Sequence, residues 1–206
     1  MTNMWYPIKS PFWLRWLYPQ LTWHRSRKHP CLYLTFDDGP IPDVTPEVLN
    51  ILKNYGIKAT FFCVGDNIRK HPEIFKRITQ EGHRIGNHTY NHLKGWRTSK
   101  EDYLKNIELS NTLVETKLFR PPYGRGTRAQ YAQLKKDYEI IMWDVMSGDF
   151  DEKLDPDTCL DNVINNAENG SIIVFHDNIK AAPRVTYALP KAIEYWLNAG
   201  YTFKTL

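Results

Sequence analysis

Two successive carboxylates, Asp37 and Asp38, close the apolar run 32–36 just before Gly39 and Pro40. Neighbouring residues of a strand point to opposite sides, so the two can hold different tasks. His88 and His92 stand four apart in Asn-His-Thr-Tyr-Asn-His, a spacing that predicts both imidazoles on one face of a helical turn. Two imidazoles and a carboxylate suit a divalent cation and leave coordination positions open, as catalytic sites require. Each element also has a plainer reading. Asp-Asp before Gly-Pro suits an ordinary turn, and a His pair at this spacing suits a solvated helix face. Their joint placement at the ends of successive apolar runs favours metal chemistry.

Arg120 opens Arg-Pro-Pro-Tyr-Gly, where Pro121 and Pro122 stiffen the backbone. Such a loop can aim a guanidinium at a carboxylate and a backbone N–H at a developing oxyanion; the alternative is a surface arginine in a plain loop. His176 follows the apolar run 172–175 and needs a polar partner, with Asp144 and Asp149 both available. It could equally be a hydrogen-bonded structural histidine.

These groups need a scaffold, and the chain predicts one of alternating strands and helices. Strands are expected at 32–36, 59–64, 84–87, 139–143, 171–175 and 201–205, with a weaker one near Leu118. Helices are expected at 46–54, 72–81, 100–115, 127–136, 156–169 and 186–198, the first capped by Thr45 with Pro46 as its first residue. About seven βα units follow, fewer than a full eight-unit barrel of about 250 residues needs, so the expected fold is α/β, a distorted or incomplete (β/α) barrel. Asp37, Asp38, His88, Asp144, Asp149, His176 and Asp177 all fall at or just beyond carboxyl ends of strands, the catalytic face of such folds.

Thr-Phe-Asp-Asp-Gly-Pro (35–40), His-Thr-Tyr-Asn-His (88–92), Arg-Pro-Pro-Tyr-Gly (120–124) and Ile-Val-Phe-His-Asp (173–177) stand in an order that resembles the polysaccharide deacetylases with a NodB homology domain, carbohydrate esterase family 4. The resemblance covers roughly residues 31–206. It implies a hydrolase that removes the N-acetyl group of an acetylated amino sugar in chitooligosaccharide, peptidoglycan or a related glycan. Asp38, His88 and His92 would hold a divalent metal, Zn²⁺ or alternatively Co²⁺ or Ni²⁺. Asp37 would be the general base, positioned by Arg120, and His176 the general acid, oriented by Asp149. Tyr123 would offer its N–H to the oxyanion, with Pro121, Pro122, Phe150 and Val174 shaping the substrate site. The family usually has Trp where Phe150 stands and often Asp where Met146 stands, which bears on acyl and sugar preference. A binding-only relative and an O-acetyl xylan esterase are the alternatives.

Of the 206 residues, 42% are hydrophobic, which excludes a disordered chain. Cys31, Cys63 and Cys159 show no CxxC spacing, which argues against a disulfide scaffold or thiolate metal site and for a reducing compartment. The formal charge of +4 is unevenly spread. Residues 1–36 hold Lys9, Arg15, Arg25, Arg27 and Lys28 with no acid, a charge of +5, so the remainder is −1. A nearly neutral catalytic domain suits an uncharged sugar, and nucleic acid is not an expected partner. We therefore divide the chain into a basic aromatic extension, 1–30, and a catalytic domain, 31–206. The extension carries Trp5, Trp13, Trp16 and Trp23, interrupted by Pro11, Arg15 and Pro19. It lacks the apolar core and cleavage pattern of a secretory signal. The expectation is a cytoplasmic or inner-membrane peripheral protein. Residues 1–28 either strap onto the domain or contact a membrane interface, and the oligomeric state is left open.

Overall fold

The computed structural model describes residues 6–206; the expectation for Trp5 lies outside them. In chain order the elements are α1 (Phe12–Leu17), β1 (Cys31–Asp37), α2 (Val44–Asn54), β2 (Thr60–Cys63), α3 (Gly65–Lys70), α4 (Pro72–Gln80), β3 (Arg84–Asn87), α5 (Lys100–Val114), β4 (Leu118–Phe119), α6 (Arg128–Leu134), β5 (Glu139–Ile140), β6 (Val145–Met146), α7 (Pro156–Ile164), β7 (Ile172–His176), α8 (Ala182–Asn198) and β8 (Thr202–Phe203). The main path is β5-β4-β3-β2-β1-β7-β6, with every ladder parallel and β8 added beside the start of β1. This sheet curls into an incomplete barrel.

Alternation along the strands separates two environments. Leu32, Leu34 and Phe36 of β1, Phe61 and Cys63 of β2, and Ile173 and Phe175 of β7 join the main core against the helices, which contribute Val48, Leu52, Val185, Leu189 and Trp196. The intervening residues face inward, where Phe62, Leu118, Ile141 and Ile172 form a small floor. Above that floor the inward positions turn polar: Thr35, Asp37, Arg120 and His176. Asp37 and His176 are direct partners in the β1–β7 register, which puts both at the same level of the carboxyl-terminal rim.

No ladder joins β5 to β6 among the described residues, and the N-terminal extension runs along that opening. Ser10 N–H donates to Asp144 O, Met146 N–H to Ile8 O, and Thr22 and Ile141 form a bridge. These bonds satisfy strand-edge groups that would otherwise be exposed. Leu21 and Trp23 are buried beside Tyr131 and Met142. The charges are matched as well: Arg15 and Arg27 both pair with the buried Asp144, Arg25 with Glu139, and Lys9 with Glu168. The +5 of the extension is thus largely answered by carboxylates of the domain.

Several expected details differ. Strand β5 ends at Ile140 because Met142 N–H turns to Thr22 O instead of continuing the ladder. Short β6 and α3 were not anticipated, and α7 stops at Ile164 rather than reaching 169. Thr45 does not cap α2, which begins at Val44; its hydroxyl accepts from Ile41 N–H and donates to Asp177. The three cysteines are buried and free, and burial pushes the Cys63 thiol well up. Among the described residues, no helix is long and apolar enough to cross a membrane.

Candidate active site

Asp37 and Arg120 meet inside the barrel mouth. Arg120 Nη1 donates to Asp37 Oδ1 at 2.7 Å and to Thr35 Oγ1 at 2.8 Å, while Nη2 reaches Met142 O at 2.9 Å. Its guanidinium also sits 4.2 Å from the Phe62 ring centroid. Both partners are buried, so the pair must be closely hydrogen-bonded to persist, and it is. Burial pushes the Arg120 guanidinium down, and Asp37 opposes that.

Opposite lies the second pair. Asp149 Oδ1 bonds His176 Nδ1 at 2.7 Å, and Oδ2 accepts the His176 backbone N–H at 2.7 Å. Of the two candidate partners for His176, the structure selects Asp149; Asp144 belongs to Arg15, Arg27 and Ser171. Burial pushes the His176 imidazole down, but Asp149, followed by Asp38 and Asp37, pushes it up to about 10. The imidazolium is therefore favoured, and among the described residues no hydrogen bond engages its Nε2. The two pairs thus stand at one level of adjacent strands, a carboxylate able to accept a proton facing an imidazolium able to give one.

Asp38, His88 and His92 converge beside them, with one potential ligand atom from each lying within 4.8 Å of the others. His88 and His92 do not share a helical turn. Thr89 and His92 have positive φ (64° and 54°), and the N–H groups of Thr89, Tyr90 and Asn91 bond side-chain oxygens of Asn87 and Asn106 in place of helical carbonyls. His88 Nδ1 is taken by Arg120 O at 2.8 Å, which leaves Nε2 as the ligand nitrogen. Asp38 Oδ1 lies 3.1 Å from His92 Nε2 and 3.5 Å from His88 Nε2, yet this buried oxygen has no well-formed hydrogen bond among the described residues. An orphaned carboxylate oxygen facing two imidazoles is the donor set of a divalent cation, so the residues fit such an ion. Burial would raise the Asp38 carboxyl, but His88, His92 and His176 hold it well below the usual carboxylate range.

The remaining expected residues divide. Pro121 and Pro122 are buried, and Tyr123 follows with φ 61°. Its N–H is taken up by no hydrogen bond among the described residues, and its ring stands 4.7 Å from that of His92. Phe150 packs edge-on to His176 at 5.3 Å and is backed by Tyr6 at 4.9 Å. Val174 is buried in β7, two residues below His176 on the same side of the strand.

Three positioning residues, Asn178, Asn67 and Thr35, lie outside the expected set, and Asp177, expected on the catalytic face without a role, braces a turn. Asn178 Nδ2 holds Asp38 Oδ2 at 2.7 Å, and Asn67 Nδ2 holds Asp38 O at 2.7 Å. Thr35 could have been found from alternation, since it shares a strand face with Asp37. Asp177 accepts from Gly39 N–H and Thr45 Oγ1. A Cβ at Gly39 would stand 2.0 Å from Asp177 Oδ2, so only glycine allows this approach. Burial pushes the Asp177 carboxyl up to about 7, despite its Thr45 bond.

The sequence matches the polysaccharide deacetylase family over residues 24–141. A peptidoglycan-N-acetylglucosamine deacetylase of Bacillus cereus is 34% identical over 90% of this chain and 91% of its own. The peptidoglycan-N-acetylmuramic acid deacetylase PdaC of Bacillus subtilis is 37% identical over 84% of this chain, which spans only 37% of that protein. Among solved structures, the Bc1960 peptidoglycan N-acetylglucosamine deacetylase superposes with a TM-score of 0.87 at 34% identity, covering 96% of this chain and 95% of that one. A mutant of BA3943, a CE4 family pseudoenzyme, superposes at 0.81 with 25% identity, covering 90% and 69%.

Proposed function

The chain belongs to the polysaccharide deacetylase family, and from that premise we propose that it removes N-acetyl groups from an acetylated amino sugar of a glycan, in a metal-dependent hydrolysis. One observation carries the reading: the Asp37–Arg120 and His176–Asp149 pairs stand in register on adjacent strands beside the Asp38, His88 and His92 cluster. A Zn²⁺, Co²⁺ or Ni²⁺ ion held by those three ligands would supply Lewis-acid polarisation at the acetyl carbonyl. Asp37 takes a proton from the attacking water, while Arg120 holds the carboxylate in place. The Tyr123 N–H donates to the oxyanion that develops as the carbonyl becomes tetrahedral. His176 then gives its Nε2 proton to the sugar nitrogen as the C–N bond breaks, yielding acetate and a free amine. Phe150 offers an apolar wall beside His176, which suits an acetyl methyl. Acetate release from N-acetylated peptidoglycan fragments or chitooligosaccharides is the test. Release should stop on chelation and return with Zn²⁺, Co²⁺ or Ni²⁺; no acetate from either glycan with any of the three would refute the proposal.

The extension supports a second proposal, on where this reaction occurs. Arg15 of α1 turns inward to Asp144, so the other side of the helix presents Phe12 and Trp16, each 82% exposed, with Trp13 and Leu17 beside them. Aromatic residues clustered this way suit the headgroup region of a lipid surface. Because most cations of the extension already have internal partners, the contact would be apolar rather than electrostatic. Pelleting with phosphatidylcholine–phosphatidylglycerol vesicles should therefore persist from about 0.1 M to about 1 M salt, where exposed charges are screened. It should be lost in Phe12→Ser/Trp16→Ser, and equal pelleting of that variant and the wild type would overturn the proposal.

A further inference from the structure

Beyond Tyr123 the rim of the site carries a feature that the hydrolysis does not use. Tyr123 is 51% exposed, and Lys94 Nζ stands 4.9 Å from its ring centroid. Next to them Trp96, 60% exposed, has the Arg125 guanidinium 4.4 Å from its ring centroid and donates its indole N–H to Gly126 O. Large exposed aromatics on a loop would ordinarily be mobile, but this one is clamped. The buried Gln130 donates to Gly95 O and Thr98 O, and Gly95 lies so close to Arg125 O that a Cβ would stand 2.7 Å from it. The loops after β3 and β4 therefore form one rigid ledge that begins at the metal-ligand His92.

The charges of this ledge are unanswered. Among the described residues, neither Lys94 nor Arg125, nor the nearby Arg97 and Arg128, has a carboxylate within ion-pair distance. The contrast with the extension is direct, since Lys9, Arg15, Arg25 and Arg27 are all paired within the protein. The near-neutral sequence total of the domain hides this local excess. Aromatic rings stack on the C–H faces of sugars, and a guanidinium stacked on an indole is held ready to grip a carboxylate.

We propose that Lys94, Trp96, Tyr123 and Arg125 form a subsite for a carboxylate-bearing sugar next to the unit being deacetylated, making the preferred substrate an anionic rather than a neutral glycan. This deepens the deacetylase reading and rests on it for the place of the reacting sugar. The ledge itself can be tested without turnover. Metal-free protein would be titrated calorimetrically with a tetrasaccharide of alternating N-acetylglucosamine and N-acetylmuramic acid, and with the same tetrasaccharide whose lactyl carboxylates are amidated. The wild type should bind the carboxylate form about tenfold more tightly at low salt, the scale of two partly exposed charge-assisted contacts. In Lys94→Gln/Arg125→Gln that ratio should fall to about 1, and Trp96→Ala should weaken both forms. A wild-type ratio near 1, or a ratio unchanged in the double variant, would overturn the subsite. Acetate release from these glycans by the metal-loaded wild type is scored separately, so a failure of the deacetylase reading is told apart from a failure of the ledge.

Discussion

Asp37→Asn should lower kcat for acetate release by about 10²- to 10⁴-fold, the range for loss of a positioned general base, while Zn²⁺ binding is retained. The amide has the shape of the carboxylate but cannot take a proton from water at neutral pH. Structural damage should be limited. Breaking a buried ion pair costs about 3–5 kcal/mol when a charge is stranded. Arg120, however, keeps Thr35 Oγ1, Ile141 O and Met142 O as acceptors and the Phe62 face, so the loss should lie at or below the low end of that range. Denaturant unfolding measures that cost, and calorimetric titration measures the metal. Asp38→Asn gives the complementary outcome, since that residue is one of three ligand groups and its loss should weaken Zn²⁺ binding itself. The adjacent pair thus separates base from ligand. Residual Asp37→Asn activity above about a tenth of the wild type would remove Asp37 from the base role, since that role predicts at least about 10²-fold.

The division of labour between Asp37 and Asp38 was legible because it follows from strand alternation, and the strands themselves were legible because their apolar runs are short and bounded by turns. Geometry held by distant side chains was not. The spacing of His88 and His92 suggested a helical turn, but the acceptor that displaces helical bonding is Asn106, on α5, outside any local window. For the same reason the sequence left open whether the basic extension straps onto the domain or contacts a membrane. Its partners Glu139, Asp144 and Glu168 lie more than 100 residues along the chain, and only the incomplete closure between β5 and β6 brings them to it. Asp177 and Thr45 illustrate the limit: a residue beside His176 and one taken for a helix cap together brace the turn that carries Asp38.

Asp149→Asn should act through protonation rather than through the metal. With Asp149 ionised, burial and charge leave the His176 imidazolium stable up to about 10. The acid must be protonated to work, so kcat/KM falls as pH rises through the pKa of His176 in the free enzyme. A cation at Asp38 cancels that carboxylate's part of the upward push, which sets the alkaline limb of the loaded enzyme below 10. Removing the Asp149 charge takes away the largest upward influence and leaves burial, which favours neutral imidazole, so the limb should move toward acid by more than one pH unit. Neutral imidazole fails in either tautomer. If the amide oxygen faces Nδ1–H, then Nε2 has no proton to give; if the amide nitrogen faces Nδ1, the Nε2 proton is too weakly acidic. The expected fall in kcat at neutral pH is about 10²- to 10⁴-fold, comparable to removing the orienting carboxylate of other His–Asp pairs. Asp149 also accepts the His176 backbone N–H, so some loss could come from misplacement alone. The pH profile separates the two. Misplacement lowers the whole curve without moving its limb, whereas loss of the charge partner moves the limb, and a variant with low activity on an unshifted limb would reduce Asp149 to a structural brace.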